Sequence, residues 1–244
     1  MIDGLMSLRD VMRHCRSSLV LPGCAFPLSR WHTEPVHESI LVIACGALAH
    51  EINELKQLYG WEHLHLKSID AWLHNRPELI PDRLRKKIRK YKKEYSQIFV
   101  AYADCGTGGG IDRVLEGEGI ERLPGAHCYQ FFAGTQRFSA LSDAEPGTFY
   151  LTDFLARHFE RFVIKPLRLD KQPELRDKYF GNYRRLVFLS QTRNDALLAA
   201  ARDAAVRLDL DFEHVHCGYG ELESSLNAVV TRAADGKEDS HLLA

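Results

Sequence analysis

Four cysteines stand where a thiol could do chemistry. Cys45 and Cys105 each follow an apolar run and open a glycine-marked turn into a helical pattern, in Ala44-Cys45-Gly46 and Asp104-Cys105-Gly106. Cys217-Gly218 repeats the arrangement after Phe212–His216, and Cys128 follows the turn Pro124-Gly125, a setting that can swing a ligand over a pocket built by other strands. A thiolate binds soft or borderline metals, and a helix N-terminus favours its negative charge and so its reactivity. The competing reading is that a free cysteine is an ordinary small buried hydrophobe. Repetition of the strand-Cys-Gly pattern weakens that reading for the set. No CxxC pair or HExxH helix occurs, so a metal site has to arise by tertiary convergence.

If Cys45, Cys105 and Cys128 converge, they need a fourth donor. His74, in Leu73-His74-Asn75 ahead of Pro77, is the first choice and His50 the second. Three thiolates with an open position suit zinc that activates a thiol or water, or an iron-sulfur cluster with an open iron. His74 is then a ligand or a general base, with Asp104 or Glu51 orienting it. The plainer role for His74 is a capping or hydrogen-bonding histidine. The loop of Gly106, Thr107, Gly108, Gly109 and Gly110 offers backbone amides at a helix start, a cradle for a phosphate or carboxylate of a cofactor. It is neither GxGxxG nor GxxxxGK[ST], and a tight turn that lets metal or substrate approach the backbone explains it equally well.

The elements that must position these groups are legible as buried strands alternating with helices. The apolar run at 39–44 reads as a buried strand, and 63–66, 97–102, 120–123, 185–189 and 212–216 also read as strands. Helical patterns follow residue 45, begin near Asp82 and cover 111–116 and 196–208; 148–162 also reads as a helix and 166–173 as a loop. The expected fold is α/β, with a mainly parallel sheet covered by helices on both faces and βα units carrying Cys at strand C-terminal ends. Ligands of such sheets bind beyond the carboxyl ends of the strands, so Cys45, Cys105 and Cys217 are expected on one edge. Residues 1–38 read as an irregular N-terminal arm, 39–232 as a single α/β domain and 233–244 as a flexible tail.

Composition restricts the partners. A chain of 244 residues, 45% apolar, can bury a full core. Its 32 basic and 33 acidic side chains leave a formal charge of −1, which supplies no global field toward polyanions. No apolar run approaches the roughly 20 residues that span a bilayer, and Met1-Ile2-Asp3-Gly4 lacks a secretory pattern, so a cytoplasmic protein with reduced cysteines and no membrane association is expected. The eight basic residues between Arg83 and Lys93 could meet RNA or an acidic partner, but such runs are usually solvated helix faces, and no RNA-binding aromatic motif accompanies them. Tyr179-Phe180-Gly181-Asn182-Tyr183 either caps a pocket or packs in the core.

From Ile40 to about Arg193 the chain resembles the domain of unknown function 1638 (DUF1638) family. The likeness runs through Ala44-Cys45-Gly46, Leu73-His74-Asn75-Arg76-Pro77, Asp104-Cys105-Gly106-Thr107-Gly108, His127-Cys128-Tyr129, Phe149-Tyr150-Leu151-Thr152 and Tyr179-Phe180-Gly181-Asn182-Tyr183. The family pattern includes Cys45, Cys105, Cys128 and His74 and leaves out Cys15, Cys24 and Cys217. Its members are often encoded beside corrinoid proteins and corrinoid-dependent methyltransferases. The resemblance therefore implies a zinc or iron-sulfur enzyme of corrinoid- and folate-linked one-carbon metabolism. Methyl transfer in the demethylation of methylated amines or betaines is the expected reaction, with a corrinoid or folate as co-substrate beside a small-molecule substrate and a corrinoid protein or methyltransferase as partner. The alternative is a non-catalytic accessory that delivers or protects a metal or corrinoid and docks to a methyltransferase.

Overall fold

The computed structural model describes residues 39–241, with side chains to residue 233; the expected N-terminal arm lies outside the described residues. The run Ile-Leu-Val-Ile-Ala-Cys forms β1 (Ile40–Cys45), and all six of its residues are buried. A strand buried on both faces needs cover on both, which is why its sequence is continuously apolar rather than alternating. After a short 3₁₀ turn, α1 (Ala49–Tyr59) leads to β2 (Leu64–Ile69), and α2 (Ile80–Tyr91) leads to β3 (Gln97–Ala101). Next come α3 (Gly110–Glu116) and the two-residue β4 (Glu121–Arg122). These strands form a parallel sheet in the order β2-β1-β3-β4. The chain passes from β1 to β2 on one side and returns to β3 on the other, so the order reverses between β1 and β3. A crevice opens at such a reversal, beyond the carboxyl ends of the two strands.

The second half contains α4 (Cys128–Ala133), α5 (Thr135–Ala144), β5 (Thr148–Thr152), α6 (Asp153–Arg157), α7 (Leu175–Phe180), β6 (Arg185–Ser190), α8 (Asp195–Leu208), β7 (Asp211–His216) and α9 (Gly220–His241). Its strands make a separate parallel sheet in the order β5-β6-β7. The α/β class and the parallel pairing are as expected, but the strands divide between two sheets. The helix expected over 148–162 is corrected: Thr-Phe-Tyr-Leu-Thr is a strand, and the helical part begins only at Asp153. Aromatic and β-branched side chains suit a pleated half-buried surface. Pairing with β6 then overrides the helical spacing of the following residues. Thr152 marks the change, its Oγ1 accepting from the Leu155 amide at 3.4 Å. Helix α9 runs past residue 233, the expected start of the tail, to His241. Among the described residues no helix is long and apolar enough to cross a membrane.

Two cores result. One gathers β1 and β3 with Leu48 of the 3₁₀ turn, Ile52 and Leu55 of α1, Leu84 and Ile88 of α2, and Leu222 and Leu226 of α9. The other packs Leu186 and Phe188 of β6 against Ala201, Ala205 and Leu208 of α8. Phe180 and Tyr183 join Phe149 at ring separations of 5.3 and 6.0 Å, so the Tyr-Phe-Gly-Asn-Tyr segment packs in this second core. At the carboxyl edge of the second sheet, buried Asp153 ties β5 to the loop after β6. Its carboxylate accepts from the amides of Gln191 (3.1 Å) and Thr192 (2.9 Å) and from Thr192 Oγ1 (2.5 Å), while its own amide donates to Gln191 Oε1 (2.9 Å). Asp153→Ala leaves those buried donors unpaired and is expected to cost about 3 kcal/mol in urea denaturation, with Asp153→Asn recovering part of it.

Candidate metal centre

Cys45 is the last residue of β1. Its Sγ accepts the Ala47 amide at 3.3 Å, so the thiol caps the turn that opens α1. In the parallel register Ala44 lies beside Ala101, which brings the end of β3 next to Cys45. Two residues later come Asp104 and Cys105, and Cys105 adopts the left-handed conformation at φ 49°. This turn is fastened to the segment before α4: the Asp104 amide donates to the Gly125 carbonyl (3.1 Å) and the Cys105 amide to that of Ala126 (2.9 Å). The clamp brings in Cys128, the first residue of α4.

His74 arrives from a 3₁₀ turn, Ala71–Asn75, after β2. Its Nδ1–H donates to the Ala71 carbonyl at 2.9 Å, and its two ring nitrogens each lie 3.9 Å from Cys45 Sγ. A backbone carbonyl on Nδ1 leaves Nε2 as the nitrogen that can meet a sulfur or a metal. His74 keeps an exposed outer side. Crowding by its neighbours disfavours its cation, but hydrogen bonding to Cys105 and Cys45 and the negative potential of those sulfurs outweigh it and hold the imidazole well above its ordinary range.

Tyr102 joins the group. Its ring stacks on His74 at 6.1 Å and 13°, and its hydroxyl is fully buried without a hydrogen-bond partner of good geometry. Burial, then the potentials of Cys45, Cys105 and Cys128, raise its ionisation far above the phenol range. Burial first, and then Cys105 and Cys45, likewise keep the Cys128 thiol protonated. One hydroxyl thus senses all three sulfurs. A cavity of about 130 Å³ opens on His74 and Cys128, walled by Tyr129, Phe154, Leu155 and Phe162. Among the described residues, no group of three or more His, Cys, Asp or Glu side chains is placed to hold a metal ion.

The structure also separates residues that the sequence grouped. Cys217 directly follows β7 of the other sheet and packs against the cluster of Val187, Leu189 and Val215. The single edge expected for Cys45, Cys105 and Cys217 is therefore corrected, because β7 pairs with β6 and not with β1 or β3. His50 is exposed and paired with Glu54 on α1 at 3.3 Å. Exposed His127 turns out of the cluster toward the Tyr129 ring.

Asp104 does not orient His74. It accepts from Thr107 Oγ1 (2.6 Å) and from the amides of Gly109 (2.9 Å) and Gly108 (3.1 Å). Partial burial opposes its ionisation, yet these bonds and Arg122 prevail and hold the carboxyl below its ordinary range. The amides of Gly108 and Gly109 are thus occupied by Asp104, and that of Gly110 by the Thr107 carbonyl at 3.2 Å. What the glycines supply is a tight turn: Gly106, Gly108 and Gly109 all have positive φ, and a Cβ on Gly110 would meet Pro81 of α2 at 2.8 Å. The reading of the sequence missed Tyr102 and the cavity walls. Tyr102 ended a recognised strand, but nothing local distinguishes it from a core aromatic.

Glu51 lies buried in α1, and one of its carboxylate oxygens has no partner. It makes no bond to His74. Burial above all, with Asp153 and Glu54 adding repulsion, pushes it up to about 7 from its ordinary 4.5, against a backbone hydrogen bond and Arg157. The fold favours the protonated form. That contribution is complete below 4.5 and is lost as pH rises through about 7. Glu51→Gln is expected to flatten this part of the pH–stability profile, gaining on the order of 3 kcal/mol at pH above 7 relative to the parent. Denaturant midpoints measured across this range check it.

No curated protein and no solved structure matches the chain. The sequence pattern of DUF1638, described as "Protein of unknown function", matches residues 68–226, more than half of the chain. The span includes His74, Cys105 and Cys128 and starts after Cys45. The chain belongs to the DUF1638 family.

Proposed function

We propose that Cys45, Cys105, Cys128 and His74 together hold a zinc-class ion, and that the protein is a metal-dependent enzyme of one-carbon metabolism that passes a methyl group from a corrinoid or folate carrier, or from a methylated amine or betaine, to a small acceptor. One observation carries the metal reading: the buried Tyr102 hydroxyl lies within electrostatic reach of all three sulfurs and its ring stacks on His74. Cys45, Cys105, Cys128 and His74 come from four segments distant in sequence, and three soft donors with one imidazole are a set that suits zinc. The Ala71 carbonyl on Nδ1 provides the outer support that histidine ligands ordinarily have.

Binding on this reading displaces protons, including that of the Cys128 thiol, which burial and its sulfur neighbours hold in place. A zinc ion held there would stabilise the anion of an acceptor thiol or water at neutral pH where one of the four donors gives way to that acceptor. The chain's own residues do the rest. Phe154, Leu155, Phe162 and Tyr129 exclude bulk water, and the exposed side of His74 provides the approach. The cavity is well below the roughly 300–1,000 Å³ of ordinary ligand pockets. A carrier therefore stays outside and presents only its methyl group. The same small volume favours, as a second reading, an accessory that hands the metal to a partner methyltransferase.

Elemental analysis and an absorption spectrum of anaerobically purified protein test the metal reading. About one zinc per chain is expected, and a brown iron chromophore assigns the same donors to a cluster. Cys105→Ser and His74→Ala are each expected to weaken metal binding about a hundredfold or more, while Tyr102→Phe keeps it. Metal-free protein whose melting temperature does not move with added zinc or cobalt(II) overturns the reading. Methyl transfer to a thiol by metal-loaded protein supports the enzyme; loss of metal to a partner without turnover supports the accessory.

A further inference from the structure

Helix α2 sorts its cations by face. Arg85 pairs with Asp82 at 2.8 Å, and Arg89 and Lys92 reach Glu118 at 3.7 and 2.7 Å. Arg83, Lys86, Lys87 and Lys90 recur at the spacing of one helical face, and among the described residues none has a carboxylate partner. They line one side of a cleft of about 530 Å³, whose other side includes Asp70 and Trp72. Trp72 is 45% exposed, and its amide is held by Asp70 Oδ1 at 2.9 Å. Tyr91 also lines the cleft, and Lys90 lies over its ring at 5.0 Å.

A solvated basic face is convex and spreads its charges. Here four cations converge on a concavity that contains one carboxylate, and like charges four residues apart on α2 repel each other until an anion sits between them. The volume falls within the range of small-ligand sites. Lysine is a compact point charge suited to phosphate oxygens, and an exposed indole is a stacking platform for a flat ring. We propose that the cleft between α2 and the Trp72 turn binds a small phosphate-bearing ligand with a flat ring system, of the nucleotide type. The proposal stands apart from the thiol site and does not depend on a metal there.

Titration calorimetry of the full chain with ATP and, separately, inorganic triphosphate, at about 50 and about 200 mM salt, tests it. Both probes are expected to bind, ATP more tightly, and both to weaken as salt rises. Lys86→Gln/Lys90→Gln should weaken both at least about tenfold. Trp72→Ala should weaken ATP about five- to a hundredfold and leave triphosphate unchanged. Quenching of the exposed indole by ATP, absent in Trp72→Phe, locates the ring. Circular dichroism melts confirm that the variants fold, and the salt dependence of the parent protein reads the charge contacts without any variant. The proposal is overturned if neither probe binds at the lower salt, if the lysine variant binds as well as the parent, or if ATP and triphosphate bind alike.

Discussion

The parallel pairing of β1 with β3 is the constraint on which the candidate site depends. The two strands run side by side in register and end together, with no other strand between them. Backbone hydrogen bonding thereby sets the ends of two segments, some sixty residues apart in the chain, within a few ångströms of each other. Cys45 and the Tyr102–Cys105 segment occupy those ends. Every other part of the site is attached to this edge: the 104–105 turn carries the 125–126 segment and Cys128, and β2, the neighbour of β1 on the other side, leads into the turn that carries His74.

The groups gathered there are costly to bury as charges. Burial and the neighbouring sulfurs favour the neutral thiol of Cys128, while hydrogen bonding to Cys105 and Cys45 raises the ionisation of His74. Tyr102 keeps its proton for the same reason and leaves its hydroxyl unpaired. An unsatisfied hydroxyl costs stability that an apolar core would not. A dication among the sulfurs would reverse these preferences, favouring thiolates and a neutral imidazole.

A contrast comes from the buried carboxylates nearby. Asp153 has its acceptors filled by Gln191 and Thr192 and acts as a structural tie between β5 and β6. Glu51 leaves one oxygen without a partner, and burial raises its ionisation to about 7. Asp104, close to Cys105 in sequence, is consumed in shaping the glycine turn. Hydrogen-bond partners, and not proximity along the chain, separate these three acids into a tie, a group of raised ionisation and a turn former.

The primary sequence determined the strands that carry the site. Ile40–Cys45 and, within β3, Ile98–Ala101 are continuously apolar, a local property of a strand covered on both faces, so their ends and the cysteines beside them were legible. The glycine turn after Cys105 was legible for the same local reason, but its purpose was not, since the capture of its amides by Asp104 depends on the conformation the loop adopts. Residues 148–162 were misread because apolar spacing allowed a helix, and only pairing with β6 made Thr148–Thr152 a strand. Division into two sheets, removal of Cys217 from the thiol group and the approach of Tyr102 to three sulfurs were decided by tertiary structure alone. Which strands become neighbours is a long-range choice set by packing, and no residue's immediate sequence surroundings encode it.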